Sequence, residues 1–316
     1  MINPWQPGVS LSTLRQRSQL LAELRRFFAQ RQVMEVDVPL LSTATVSDHN
    51  IDSIVADNAG VTGYLQTSPE YFMKRLLAAG SGDIFSLGKA FRSGESGSRH
   101  NPEFTLLEWY RCGWDEHQLM DEVAELIAML LPETSVRRIS YADVFLEHLQ
   151  IDPHLVELSS LQSLAVTASS PAWAEETRAN CLDLLFSVLV EPQLGDGLVL
   201  VYDYPACQSA LAKCDDDSQG RRISRRFEAF LNRVELANGY CELTDAQEQA
   251  ARFDEDQRLR QQSGKCAVAA DTRLLAAMHA GLPECAGVAI GVDRLLMQID
   301  AADSIDQVIP FSWGRC

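Results

Sequence analysis

FSLGKAFRSGESGSRHNPEFTLLEWYR, residues 85–111, decides the fold. Two β-prone runs, 83–91 and 103–111, flank a loop of Gly, Ser and charged residues that is too short for a crossover helix, so the runs pair antiparallel. In a strand beginning at Glu103, the period of two puts Phe104, Leu106, Glu108 and Tyr110 on one face and Thr105, Leu107 and Trp109 on the other. A carboxylate set between LL and WY needs a partner or water if it is buried. The alternative is an edge strand with Glu108 solvated, and the alternation does not choose between them. Arg92 and Arg99 bracket the loop, where guanidinium groups either meet phosphate oxygens or serve as ordinary surface charge.

The second informative stretch is RRFEAFLNRVELANGYCELTDAQEQAARF, 225–253. With Asn232 and Arg233 as a two-residue hairpin turn, Phe230 stands opposite Glu235, and Glu228 is the diagonal neighbour of Glu235 on the same face. Two carboxylates so placed could share Mg²⁺ with a phosphate; equally, they could be exposed acids on a wet face. Glu242 follows Gly239, where a bulge would turn it toward the same region. The third stretch, CAGVAIGVDRLLMQI at 285–299, is a short apolar strand running into a helix, with Arg294 near the helix-start amides. Its plain alternative is an Asp293–Arg294 pair at a helix start.

Outward from these segments, Leu14, Leu21, Leu24 and Phe28 share a helical face, and Thr13 with Gln16 resembles a capping box, which predicts a helix over 13–31. Met34, Val36 and Val38 alternate with acids as a strand closed by Pro39. Helices are predicted at 69–79, 116–131, 245–262 and 271–280, the last with Gly281 at its C-cap, and strands at 198–204, 226–231, 234–242 and 286–291. KCDDDSQG, 213–220, reads as a solvated loop, and 155–200 carries mixed signals. The class is therefore α+β, an antiparallel sheet flanked by helices in a single domain over 1–316. Neither GxxxxGK[ST] nor GxGxxG occurs, so any bound ATP is held by neither of those loops.

Composition bounds the partners. No apolar run approaches the roughly 20 residues of a membrane span, and MINPWQPGVSLSTLRQRS at the start has the wrong pattern for a secretory signal, so a cytoplasmic protein is expected. Eight cysteines are scattered without CxxC spacing, which fits reduced thiols better than a metal or redox centre. Twenty-seven basic against 44 acidic residues leave a formal charge of -17, a poor basis for stable nucleic-acid binding.

The three segments, in this order, resemble the signature motifs of class II aminoacyl-tRNA synthetases, nearest the lysyl enzymes: FFAQRQVMEVDVPLL the first, FRSGESGSRHNPEFTLLEWY the second and GVAIGVDR the third. VELANGYCELTDAQEQ resembles the lysyl subgroup's metal and lysine site. The likeness covers most of 12–312 and implies a class II catalytic fold, a homodimer built on the first motif, and use of ATP with Mg²⁺. The first motif begins almost at the N-terminus, so an N-terminal OB-fold anticodon domain is expected to be missing. With YLQTSPEYFMKRL at 64–76, this resembles the truncated relatives that load (R)-β-lysine onto elongation factor P.

That resemblance implies roles residue by residue. Arg92 would contact the ATP α-phosphate and Arg294 the γ-phosphate, with Phe104 beneath adenine near Asn101, and Ser93, Gly94, His100, Leu236 and Gly291 completing the nucleotide site. Glu235, assisted by Glu228, would hold Mg²⁺; Arg92, Arg294 and Glu235 would be the catalytic set. Glu70, with Ser68 and Pro69, would receive the amino group near the reacting end; Glu242 and Tyr110 would bind the far ammonium, with Glu108 and Asn238 fixing the chain. The motif departs from the lysyl FRNE: Ser93 and Gly94 replace Asn and Glu, and Glu95 comes one position later. Ala289 stands where lysyl enzymes carry Gly, a methyl expected to disfavour α-lysine. Two other readings fit the sequence: a free-standing enzyme acting on tRNA or a small amine, and a dead regulatory subunit, the latter opposed by the retained Arg92, Glu235 and Arg294.

Overall fold

A computed structural model describes residues 5–268 and 270–316. The chain divides into two compact units, residues 1–113 with 244–316, and residues 114–243.

In the first unit, helix Leu11–Gln30 buries Leu20, Leu24, Phe27 and Phe28. Its cap is Ser10, whose hydroxyl accepts from Thr13 N, so the helix begins before the expected Thr13 box, and Gln16 reaches Asp300 instead, at 3.0 Å. Phe28 stacks on Phe85 at 4.6 Å and leans on Trp109 at 5.2 Å, which fixes one face of the sheet against this helix. Strand Ile84–Phe91 pairs antiparallel with Glu103–Cys112, which pairs antiparallel with Cys285–Gly291. The expected Met34–Val38 strand shrinks to Met34–Glu35 and runs parallel to Ile84–Phe85. Val36 N still bonds Phe85 O, but Pro39 has no donor to extend the ladder. A separate sheet joins Leu41–Ser42, Val61–Leu65 and Val55–Asn58. Helices Glu70–Ala78, Ala246–Gln262 and Thr272–Gly281 lie within about a residue of their expected bounds, and Gly281 at φ 119 ends the last.

In the second unit, Val136–Ser140 lies parallel to Leu198–Pro205, which is antiparallel to Arg222–Leu231, itself antiparallel to Val234–Cys241. The long helical connection between the first two strands, with helices Tyr141–Leu149, Leu158–Ala168 and Arg178–Leu185, is what permits parallel pairing in a sheet otherwise read as antiparallel. Its core is aromatic: Tyr141 lies 4.5 Å from Tyr204 and 4.6 Å from Phe145, and Phe186 lies 5.4 Å from Phe230. KCDDDSQG is not wholly a loop. Cys214–Asp216 pairs with Arg222–Ser224 as an edge strand, a place where charged residues are tolerated because one side of the ladder faces water. The α+β class holds, with parallel pairing confined to Met34–Glu35 and Val136–Ser140 among the described residues.

Candidate active site

The first unit carries one half of the expected site on strand Glu103–Cys112. Register places Ser86 and Ala289 on either side of Glu108, Gly88 and Gly291 beside Leu106, and Ile84 and Gly287 beside Tyr110. Small side chains, Ile84 apart, thus border the row from which Phe104, Glu108 and Tyr110 project, while Thr105, Leu107 and Trp109 lie on the opposite face. Glu108 is 3% exposed, so the solvated-edge reading falls. Ser68 Oγ donates to its Oε2 and Tyr110 OH to its Oε1, both at 2.7 Å. Two hydroxyl donors satisfy oxygens of this buried carboxylate, a setting that suits an ammonium guest.

Ser68 also caps the following helix, its Oγ accepting from Glu70 N at 3.0 Å. Pro69 is buried at the helix start, where its carbonyl accepts from Phe72 and Met73 amides; its side chain presents no polar atom to a substrate. Glu70 Oε1 is 2.6 Å from Lys74 Nζ.

On the nucleotide side, Gly94 at φ +77 turns the loop through a conformation that favours glycine. Glu95 thereby comes to lie 3.5 Å from Arg92 Nη1, so the shifted acid still reaches the motif arginine. Arg92 sits 5.2 Å from the Phe104 ring centroid, and its Nε is buried without a hydrogen-bond partner, an opening for a phosphate or ribose acceptor. Ser93 N is tied to Asp52 O at 2.7 Å, and Asp52 is held in turn by Arg260 and Lys265. Arg294 approaches His100 Nε2 at 2.7 Å and Arg99 O at 3.5 Å, and a Cβ at Gly291 would lie 3.8 Å from the Arg294 side chain. The Asp293–Arg294 pair does not form: Asp293 is 2% exposed, 2.6 Å from Arg17 Nη1, and accepts from Thr105 N at 2.6 Å. Asn101 donates to Glu103 O at 2.6 Å and accepts from Trp313 N at 2.8 Å, which fixes its amide while leaving one N–H and one lone pair of the group to spare.

The second unit carries the acids. Asn232 and Arg233 have φ 50 and 67, the paired positive values of the expected hairpin turn, and Phe230 is opposite Glu235. The bulge falls at Leu236 rather than Gly239: Ala229 pairs with Ala237 and Glu228 with Asn238. Glu228, Glu235 and Asn238 consequently share a face, and the extra residue, Leu236, is buried, leaving its main chain as the part with polar groups to offer. Tyr204 OH donates to Glu228 Oε2 at 2.8 Å, and Arg226 bonds Glu228 Oε1 while donating to Asn238 Oδ1 at 3.1 Å and Gln208 O at 3.0 Å. Burial first, with repulsion from Glu235, pushes the Glu228 carboxyl up to about 7 against the pull of Arg226. Glu242 is 1% exposed.

Among the described residues no group of three or more His, Cys, Asp or Glu gathers for a metal; Glu228 and Glu235 supply two carboxylates on one face, a donor set that a Mg²⁺ ion keeping waters and phosphate oxygens would take. Sequence reading missed Lys74, Tyr204 and Arg226. The spacing of Glu70 and Lys74 by four on a helix, and of Arg226 and Glu228 by two on a strand, signalled two of them; Tyr204 comes from another strand and leaves no local mark.

Residues 7–314 match the family of class II tRNA synthetases (D, K and N). The chain is 46% identical over 320 residues to a Yersinia enterocolitica protein named elongation factor P--(R)-beta-lysine ligase, covering 98% of each. It is 46% identical over 317 residues to the Vibrio parahaemolyticus protein of the same name, with 97% of each covered, and 46% over 321 to that of Vibrio cholerae, with 98% of each covered. The chain belongs to the class II tRNA synthetase family, a family of ATP-using ligases, and within it groups with the elongation factor P--(R)-beta-lysine ligases.

Proposed function

We propose that this protein activates (R)-β-lysine with ATP as an aminoacyl adenylate and transfers it to the ε-amino group of a lysine of elongation factor P. The observation that carries this reading is Glu108, a buried carboxylate hydrogen-bonded by Ser68 and Tyr110 beside Ala289, in a chain whose relatives of equal length bear that ligase name.

The amino acid's carboxylate attacks the α-phosphorus, and pyrophosphate leaves. Arg92 lies against the α-phosphate, its unpartnered Nε and its Nη groups taking up charge that grows in the transition state, and Glu95 keeps the guanidinium from swinging away. Arg294, braced by His100, meets the γ-phosphate, and Phe104 supports the adenine. Glu235, with Glu228 fixed by Arg226 and Tyr204, would hold Mg²⁺, which would supply charge screening at the phosphates. Glu70 receives the amino group near the reacting end, Glu108, Tyr110 and Glu242 the far ammonium, and Asn238 offers its NH₂ because its oxygen already serves Arg226. The acceptor amine then attacks the adenylate carbonyl and AMP departs, a step that needs positioning more than further activation.

The family match takes in both units, which supports one catalytic domain. Exposed Met34, Leu40, Leu41, Val55 and Val61, on the first-motif segment and the small sheet beside it, support a homodimer. A cytoplasmic site of action is supported by cysteines that form no disulfide among the described residues, and no helix there is long and apolar enough to cross a membrane. The acidic balance supports a protein acceptor over nucleic acid.

The test is intact-mass analysis of elongation factor P after incubation with this protein, MgATP and (R)-β-lysine or α-lysine, with deacylated tRNA in parallel. One lysyl unit gained by the factor, more with the β isomer and none on tRNA, is the expected result. Transfer to tRNA alone overturns it.

A further inference from the structure

Lys74 stands one turn beyond Glu70 on helix Glu70–Ala78 and is 1% exposed, among the largest fully buried side chains of the protein. An exposed pair at this spacing adds a few tenths of a kcal/mol to a helix, and a lysine there ordinarily carries its ammonium out to water. Lys74 does the reverse. Its Nζ lies inside, 2.6 Å from Glu70 Oε1. The neighbouring hydrogen bonds show what this does. Ser68 Oγ accepts from Glu70 N and donates to Glu108 Oε2, so one hydroxyl sets the Glu70 backbone and a carboxylate of the same pocket. Pro69 supplies no side-chain cap to the helix. What remains mobile in Glu70 is its side chain, and Lys74 is the group that fixes it.

We propose that Lys74 is a positioning residue of the amino-acid site, holding Glu70 Oε1 so that the other oxygen is presented in one place to the substrate's amino group. The proposal rests on the reading of Glu70 given above. A glutamate free to turn loses rotamer freedom when a ligand binds, and that loss weakens binding. Lys74 imposes the order in advance. It also gives the carboxylate a cation before substrate arrives, which keeps a largely enclosed charge compensated in the empty enzyme. The amine is then recognised through a single acceptor oxygen rather than a two-oxygen fork, a geometry suited to a primary ammonium and poor for a guanidinium.

The experiment compares wild type, E70Q, K74M and E70Q/K74M in (R)-β-lysine-dependent ATP–pyrophosphate exchange, measuring KM for the amino acid and for ATP on each. E70Q and K74M are each expected to raise the amino-acid KM roughly tenfold or more, with ATP KM within about twofold, and the double variant to be no worse than E70Q. An unchanged amino-acid KM in E70Q overturns the reading of Glu70 and the proposal with it. A raised KM in E70Q with none in K74M overturns the role of Lys74 alone, as do effects that simply add. If K74M does not fold, the comparison of E70Q with E70Q/K74M, where both members of this pair are replaced, still decides: equal amino-acid KM supports the proposal, and a further rise overturns it.

Discussion

Tyr110 donates its hydroxyl to Glu108 Oε1 across 2.7 Å from two positions further along the same strand. The phenol and the carboxylate therefore act on a guest as one unit. Glu108→Gln removes the anion but keeps the shape, and is expected to raise the amino-acid KM roughly 10- to 100-fold while leaving ATP KM near wild type. Tyr110→Phe should show a smaller effect in the same direction. Pyrophosphate exchange with each substrate varied in turn checks this; an amino-acid KM untouched by Glu108→Gln removes Glu108 from the pocket.

Arg17 and Asp293 form a buried pair, their side chains 11% and 2% exposed and 2.6 Å apart. Arg17→Ala strands the Asp293 carboxylate with Thr105 N as its remaining donor, and is expected to destabilise the protein by about 3 kcal/mol in chemical denaturation. Arg17→Ala with Asp293→Asn should recover part of that loss, since no lone charge remains. Equal stability of Arg17→Ala and wild type would sink the argument.

Asp203 has φ 57, and its carboxyl is pushed up to about 6, chiefly by burial and further by Glu116 and Asp217, against the opposing pull of His117 and Arg225. The folded chain therefore holds this proton at pH values where the unfolded chain has released it. Its contribution to stability is full below about pH 4 and is lost as pH rises through about 6. Asp203→Asn tolerates the same left-handed backbone and cannot ionise. It should be more stable than wild type at pH 8 by about 1 kcal/mol, allowing for the water that reaches the group. Denaturation midpoints at pH 4 and pH 8 measure the difference, and a gap that does not widen with pH refutes it.

Leu41 is exposed and pairs with Leu65 in the small sheet. If this surface joins two copies, Leu41→Asp buries a charge in the interface and is expected to shift sedimentation from dimer toward monomer. Wild-type protein that sediments as a monomer at micromolar concentration would refute the homodimer.

How far the sequence foretold all this differs from element to element. The alternation around Glu108 and the turn at Asn232 and Arg233 were legible because each depends on neighbours in the chain. The bulge was misplaced because glycine permits a bulge without requiring one. Its true position was written in the spacing of Glu235 and Asn238, three apart yet on one face, which a regular strand does not allow. The Asp293–Arg294 pair looked natural from adjacency, and the structure pairs Asp293 with Arg17 instead, while Asn101 also joins its loop to Trp313. Contacts of that range leave no periodic trace. The displacement of Glu95 by one position could not be weighed from the sequence, because its effect depends on the conformation of Gly94, which has φ +77.

Asp293 also bears on the order in which the protein is made. Helix Leu11–Gln30 leaves the ribosome early, with Arg17 on it, but its buried counter-ion is added near the end of synthesis, after all of residues 114–243. The second unit is contiguous and has its parts together sooner; the first must keep its opening helix waiting while a long loop closes behind it. During that interval Phe27, Phe28 and Trp109 have only part of their final cover, and it is then that a nascent chain of this protein would most need a chaperone.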